Sequence, residues 1–355
     1  MKGKGLGMGL AIAGLVIVVV ALVLMLAVVP GMKKLPADTN VTRTYDGTMT
    51  VLFDPKTGQF TRNLPIVLTR HFYVTQTSGD AALVREDKTI TSNGQPLETL
   101  TNDYAIGRST MLATSTYPSS WTGSPGFWNR QGVVLSWPIG TKQQDYTGWS
   151  DDYRAAVPLK FAGAVADPRS GTKTYLFTSQ SGPKPIDPAQ VTFMGLPTSI
   201  AKQQLQGMVA AAKMDPTIVK MLPQILTKVP GTSVPLQYTY AYEGKYWVDP
   251  ATGILIDTQK HEVRKAGLPD TLLKGIPLLA ILPPSELDAM RVPVSDYTYQ
   301  ASDQSVKDAR SEAQDKGGKL TLYGTTIPWI AIVVGAVLLI AGVVLALRTP
   351  KSQTA

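Results

Sequence analysis

Two histidines, His71 and His261, are all the imidazole that this chain of 355 residues holds. Each stands in a strand-like run among basic or apolar neighbours. A serine triad would have to use one of them, yet no Gly-x-Ser-x-Gly elbow presents a nucleophile. No His-x3-His pair offers zinc two ligands from one helix. Phosphate loops of the Gly-x4-Gly-Lys-Ser/Thr and Gly-x-Gly-x-x-Gly types are missing as well. There is no cysteine, so thiolate catalysis, disulfides and Cys-ligated metals fall away. The best carboxylate cluster is Asp151-Asp152, with Asp145 nearby. Two carboxylates can divide acid and base work, but only where burial or a neighbour perturbs them. In a Gly- and Ser-rich loop the expectation is that they face water. The residues thus predict a protein that is not an enzyme, with no catalytic set, cofactor or metal.

Whatever these side chains do, they lie between two long apolar runs. Leu6 to Val29 (24 residues) and Ile327 to Leu347 (21 residues) hold no charged side chain. At about 1.5 Å per residue, each is long enough to cross a hydrocarbon core of about 30 Å. The first is too long for the core of a cleavable signal, and Val28-Val29-Pro30-Gly31 is a poor cleavage site, so it reads as an uncleaved anchor. The predicted layout is a tail at 1–5, a membrane helix at 6–29, a domain at 30–326, a second membrane helix at 327–347 and a tail at 348–355. Lys2, Lys4, Arg348 and Lys351 flank the runs, and a large domain follows a signal-like start. Both features place the tails in the cytoplasm and the domain outside the plasma membrane.

Each run also carries small residues at helical spacing, Gly7, Ala11 and Gly14 in the first and Ala331, Gly335 and Gly342 in the second. In lipid such positions let backbones approach closely. They are the candidate packing residues for pairing the two spans, for a homo-oligomer or for a membrane-protein partner. The net charge is +8, but four of the cations sit in the tails, which leaves 30 basic against 26 acidic residues. That balance gives no nucleic-acid surface.

The middle of the chain alternates like strands: Thr48 to Phe53, Ile66 to Val74, Ala82 to Arg85, Lys88 to Thr91, Met111 to Thr116, Val133 to Trp137, Lys173 to Thr178, Gln237 to Tyr242 and Val294 to Gln300. Short runs rich in Thr, Val and Tyr between turn residues predict an antiparallel sheet. One turn signature recurs, as Asp54-Pro55-Lys56-Thr57-Gly58, Asp167-Pro168-Arg169-Ser170-Gly171 and Asp249-Pro250-Ala251-Thr252-Gly253. Asp at the first place, Pro fixing φ and Gly at the exit suit a type I turn. The aromatics between Trp121 and Trp149 either line a pocket or pack the sheet.

A helical hairpin interrupts the strands at 198–228. Its helices are predicted at Ser199 to Lys213 and Thr217 to Lys228, with Asp215 as cap and Pro216 in the first turn. Its Met208, Met214 and Met221 are soft apolar surface, and Ile276 and Leu279 come from a Pro-broken apolar stretch too short to span a bilayer. These five residues are the candidate lining for an apolar ligand, and the same residues serve equally as core. A polar helix from Ser302 to Lys316, ended by Gly317-Gly318, leads to the second span. The fold class is a membrane protein with two terminal transmembrane helices flanking an α+β, mainly antiparallel-β extracytoplasmic domain. The function expected of it is to bind or pass a lipid or other apolar envelope component; the alternative is a non-catalytic accessory subunit of an envelope complex.

Four features together resemble a family of actinobacterial two-span envelope proteins of unknown function, labelled porin-A-like. They are the two-span layout, Trp137-Pro138-Ile139-Gly140-Thr141-Lys142 followed by Tyr146 and Trp149-Ser150-Asp151, Trp247-Val248-Asp249-Pro250-Ala251-Thr252-Gly253, and Tyr297-Thr298-Tyr299-Gln300. The resemblance covers essentially the whole chain and implies a place in the cell envelope. The strand pattern lacks the girdled series of a membrane barrel. More distantly, the layout looks like class B scavenger receptors, which hang a lipid-tunnelled β-rich domain between two terminal spans.

Overall fold

The computed structural model describes residues 2–54, 57–124 and 126–348. Pro55 and Lys56 of the first turn, Pro125, and the tail with Lys351 lie outside the described residues. The chain divides into a helical unit, Met1–Leu35 with Ser311–Ala355, and a β unit, Pro36–Arg310.

In the helical unit, α1 (Lys2–Val23) runs through a π-helical turn (Leu24–Val28) into α2 (Val29–Met32). The last helix, α10 (Ile327–Leu347), follows a second π-helical turn, Leu322–Thr326. Both apolar helices are long enough to cross a membrane. They meet along their small residues. A Cβ on Gly7 would lie 2.6 Å from the Ala346 nitrogen, and one on Gly335 would lie 2.7 Å from the Gly14 carbonyl oxygen. One on Gly342 would stand 2.9 Å from the Ala11 Cα. No real Cβ sits that close, so backbone contact here depends on hydrogen as the side chain. Ala331, one turn before Gly335 on α10, is half-buried. Ile12, Leu15, Val333, Val337 and Ile340 point away from the pair and are exposed, as lipid-facing side chains are.

The β unit contains β1 (Asn40–Asp54), β2 (Gln59–Ser78), β3 (Ala81–Ser92), β4 (Gln95–Gly107), β5 (Tyr146–Ser150), β6 (Ala155–Ala166) and β7 (Lys173–Pro185). After α3 (Pro188–Phe193) come β8 (Ser199–Ala201), α4 (Lys202–Ala211), α5 (Pro216–Thr227) and β9 (Ser233–Pro235). Then follow β10 (Gln237–Val248), β11 (Leu255–Gly267), three short helices α6 (Asp270–Lys274), α7 (Pro277–Ala280) and α8 (Pro284–Ala289), β12 (Val292–Ala301) and α9 (Asp303–Thr321). Gly317 and Gly318, expected to end a helix, lie inside α9.

Ten strands form one antiparallel sheet in the order β4-β3-β2-β1-β12-β11-β10-β7-β6-β5. The chain's first and last strands are therefore neighbours, with Tyr45 opposite Ala301. The two edges also meet. Ile106 of β4 bridges Ala113, Leu112 bridges Val133, and Val133 bridges Gly148 of β5. Backbone bonds from Ala113 to Gly132 (2.8 Å) and from Val133 to Thr147 (2.8 Å) complete this seam. The sheet closes into a barrel and leaves little free edge. The seam holds the two segments expected as strands at 111–116 and 133–137. Positive φ at Met111 (61°) and Gly132 (68°) breaks them into single bridges.

The Asp-Pro-x-Thr/Ser-Gly signature joins β1 to β2, β6 to β7 and β10 to β11. In each the Gly amide donates to the Asp carbonyl, at 2.8, 2.9 and 2.9 Å. The exit glycines have φ of 70°, 67° and 74°, a left-handed conformation that glycine takes without a Cβ clash. Outward positions carry Asp46 and Thr48 on β1, His71 on β2, and Glu243 and Lys245 on β10. That surface is polar where a bilayer-facing barrel needs an apolar band, so these strands face water.

Helices α4 and α5 form the expected hairpin. Asp215 caps α5 by accepting from the Thr217 amide at 2.7 Å. At its base, β8 pairs with β9. The hairpin packs with α6–α8 and the adjoining ends of β10–β12 into one apolar cluster that includes Leu205, Val209, Leu222, Leu273 and Leu287.

Candidate functional site

The five residues expected to line an apolar site fall in this cluster. Met208 and Leu279 are only 3% and 2% exposed, while Met214, Met221 and Ile276 are half-buried against them. The void among these helices is about 20 Å³, less than one water's share of liquid volume. Chemistry concentrates instead inside the barrel.

A cavity of about 200 Å³ lies in the lumen, walled by strands from β2 around to β11. Inward positions of a two-residue repeat put Glu86 and Lys88 on β3, Asn102 and Tyr104 on β4, and Lys260, Glu262 and Arg264 on β11. Glu262 is the hub. It accepts hydrogen bonds from the phenols of Tyr240 (2.9 Å), Tyr297 (3.0 Å) and Tyr299 (2.8 Å), and Lys260 stands 2.9 Å from it. Arg264 reaches across to Asp152 with two bonds, of 2.7 and 3.0 Å. On the facing wall the Arg70 Nε donates to Glu86 at 2.6 Å. The Arg130 guanidinium lies 4.0 Å above the Tyr104 ring and pairs with Asp151 at 3.0 Å and Glu86 at 3.6 Å.

Burial alone would neutralise these groups; pairing overrides it. For Glu86, burial pushes the carboxyl up, but Arg70 and Arg130 more than offset this and hold it at about 2. Glu262 is carried well below the usual carboxylate range against the same desolvation, by Lys260, Lys88 and Arg264. Burial and then the Glu262 charge push the Tyr297 phenol up to about 12. The lumen is thus a fixed array of charged acids and bases with neutral phenols between them.

Below it, an aromatic floor packs Trp137 on Phe177 (5.4 Å between ring centres) and on Tyr246 (5.7 Å). Trp137 is held by the Asp249–Gly253 turn. Its amide donates to the Gly253 carbonyl at 3.0 Å, and the Gly140 amide donates to Ala251 at 3.2 Å. A Cβ on Gly253 would fall 2.8 Å from the Pro138 carbonyl oxygen. The aromatics of 121–149 therefore do both jobs. Trp121 and Phe127 are core beside the seam, and Trp137 and Trp149 line the cavity.

One expectation is overturned. Asp152 does not face water; it is 6% exposed and bound to Arg264. The two histidines lie outside this network, His71 bonded to Asn40 and His261 to Asp296, each at 2.8 Å.

The fold and the site define a membrane protein with two apolar terminal helices and, between them, a β-barrel domain with a charged interior. The chain belongs to the porin PorA family, whose model matches residues 6–344. No curated protein matches it.

Proposed function

We propose that this chain is a non-catalytic, membrane-anchored cell-envelope protein whose outer domain binds or passes a lipid or other apolar envelope component. The observation that supports this reading is a charged, partly open cavity in a domain joined, at each end of its sequence, to a membrane-length helix. The polar lumen suits the head of an amphiphile, and its small volume leaves the chain outside. One lumen carboxylate, Glu86, speaks for the non-catalytic part of this reading. A base held near 2, as Glu86 is, takes no useful share of protons at neutral pH. The protein belongs, on this reading, in the plasma membrane with both termini cytoplasmic. Its partners are membrane lipid and a second copy or another membrane protein met through the helices; nucleic acid is not among them.

Organic extraction of the purified full chain followed by mass spectrometry tests the ligand. A stoichiometric lipid supports the reading; a folded protein that retains none and takes up no apolar probe overturns it. Topology is tested with Thr57→Cys and Ser352→Cys in intact cells, where Thr57→Cys alone should react with an impermeant reagent. Reaction at Ser352→Cys alone reverses the orientation.

The accessory-subunit reading draws on one further observation. Met208 is core, Met214 and Met221 are half-buried beside it, and the void there is about 20 Å³, so that face offers a partner a filled surface and no groove. Loss of lipid together with stoichiometric co-purification of one membrane protein would favour it.

A further inference from the structure

The charges that line the lumen cavity differ in reach. Arg70, Lys88 and Lys260 keep 29%, 18% and 22% of their side-chain surface open, whereas Glu86, Glu262 and Asp152 keep 6%, 3% and 9%. Asp151, the one lining carboxylate of comparable exposure, is paired with Arg130 and accepts from the Trp149 indole, each at 3.0 Å. The other acids are recessed beneath their partners, so a molecule in the cavity meets cations first.

Hydrogen-bonding capacity divides in the same way. Glu262 is spent on three phenols and Lys260, and Asp152 on two bonds from Arg264. Arg70 bonds Glu86 through Nε, while neither of its Nη atoms has a partner among the described residues. The Lys88 ammonium lies 3.7 Å from Glu98, too far for a hydrogen bond, and has no other acceptor among the described residues. None of these three nitrogens is sealed off by protein. Guanidinium and ammonium groups donate and never accept. The unspent capacity on this wall is therefore all donor, which a group of acceptor oxygens matches.

The two side chains also stand face to face. Arg70 is the register partner of Lys88 across β2 and β3, and like charges directly opposite each other repel. An oxyanion between them turns that repulsion into attraction. Two of its bonds come from the guanidinium fork and another from the ammonium, and such charge-assisted bonds are about twice as strong as neutral ones. A neutral hydroxyl gains less there, and a cation is repelled. The cavity of about 200 Å³ is the share of about seven waters at about 30 Å³ each, room for one tetrahedral oxyanion with waters around it.

We infer that the lumen binds a phosphate-type oxyanion between Arg70 and Lys88. As the phosphoryl head of an amphiphile, this anion rests on the proposed lipid-handling role; as a free anion it does not.

The test uses the full chain in a polyoxyethylene detergent, which carries no phosphate. Isothermal titration should show saturable binding of glycerol 1-phosphate and inorganic phosphate, and none of methyl glucoside or choline. Arg70→Gln and Lys88→Gln should each weaken binding about tenfold, the loss of a charge-assisted bond. Lys245→Gln removes the same charge from the outer face and should leave binding unchanged. Should both lumen variants unfold, selenate soaked into crystals of the unaltered chain gives the answer, as an anomalous peak between Arg70 and Lys88. Competition separates the two sources. Phosphatidylglycerol added to the micelles displaces glycerol 1-phosphate if a lipid head fills the site. Saturable binding that phosphatidylglycerol leaves untouched supports a free anion and removes the lipid head. No saturable oxyanion binding, equal binding of methyl glucoside or choline, unchanged affinity in folded lumen variants, or selenate confined to the outer face would each overturn the inference. A retained lipid without oxyanion binding would overturn it too, while leaving the lipid-handling role standing.

Discussion

The helix pair and the barrel lumen are two interiors built on opposite rules. Between the apolar runs of α1 and α10 contact is backbone against backbone at Gly7, Gly14, Gly335 and Gly342, and neither run carries a charged side chain. In the lumen, charged groups are buried at high density and held by distances of 2.6 to 3.0 Å around Glu262, Asp152 and Glu86. The first interior gains from having nothing in the way; the second from having every charge answered. In lipid, where apolar surface has no reason to hide, close van der Waals contact supplies the attraction. In the barrel, an unanswered charge is the largest available penalty. The two should therefore fail in different ways.

The sharpest way to break this contrast is Arg264→Met. It removes the partner of Asp152 and leaves a buried carboxylate unpaired, so about 3–5 kcal/mol of domain stability should be lost. Denaturant unfolding measures this, and Arg264→Met with Asp152→Asn should recover part of it. A loss below about 1 kcal/mol would mean that the lumen behaves as a wet surface.

Acid sharpens the same comparison. The Glu86 carboxyl is held at about 2 in the fold against an ordinary 4.5, so its folded-state pKa is depressed. Its contribution is present above pH 4.5 and drains away as pH falls from there through about 2. By linkage that contribution is on the order of 3 kcal/mol. Glu86→Gln should flatten this part of the stability–pH curve. An acid limb identical in the two proteins would remove Glu86 as its cause. The helix pair holds no carboxylate to titrate and should hold through the same range.

The smallest effect belongs to the helices. Gly14→Leu with Gly335→Leu forces side chains where a Cβ would already press on the Gly335 carbonyl oxygen and, from Gly335, lie 2.7 Å from that of Gly14, and overpacking of this kind costs about 1–3 kcal/mol. Disulfide trapping between cysteines placed along the two helices, in a chain with none of its own, should fall away. Trapping at undiminished yield would show that the glycines do not govern the approach.

What could be read in the sequence follows from the same division. Uninterrupted apolar runs and the Asp-Pro-x-Thr/Ser-Gly turns are local signals, and both spans and all three turns stand where the pattern places them. The hairpin is local as well, with Asp215 and Pro216 marking its break. The lumen is not local. Alternation shows a buried face when one face is apolar, but here inward Glu86, Lys88 and Arg264 alternate with outward polar residues, so period two goes unseen. Gln95 to Gly107 hides its strand in this way, whereas Ala155 to Ala166 hides it by being apolar at nearly every position, which shows no period at all. Asp152 looked like a solvated loop carboxylate because its partner, Arg264, is 112 residues away. The motifs that carried the family resemblance came nearest to the site. Trp137, Trp149, Asp151, Tyr297 and Tyr299 all stand in or beside the lumen.

Pairing of the first strand with the last has a consequence for how the protein is made. Tyr45 meets Ala301, so β1 must wait for more than 250 further residues before its outer neighbour exists. At about 5–20 residues per second, that is roughly ten to fifty seconds of synthesis. Throughout that interval β1 and β2 can hydrogen-bond to each other, while the far side of β1 stays open to any passing strand. Contacts of such long sequence separation form slowly. The nascent domain thus has a long adhesive phase before closure, during which two growing chains can come to share one sheet.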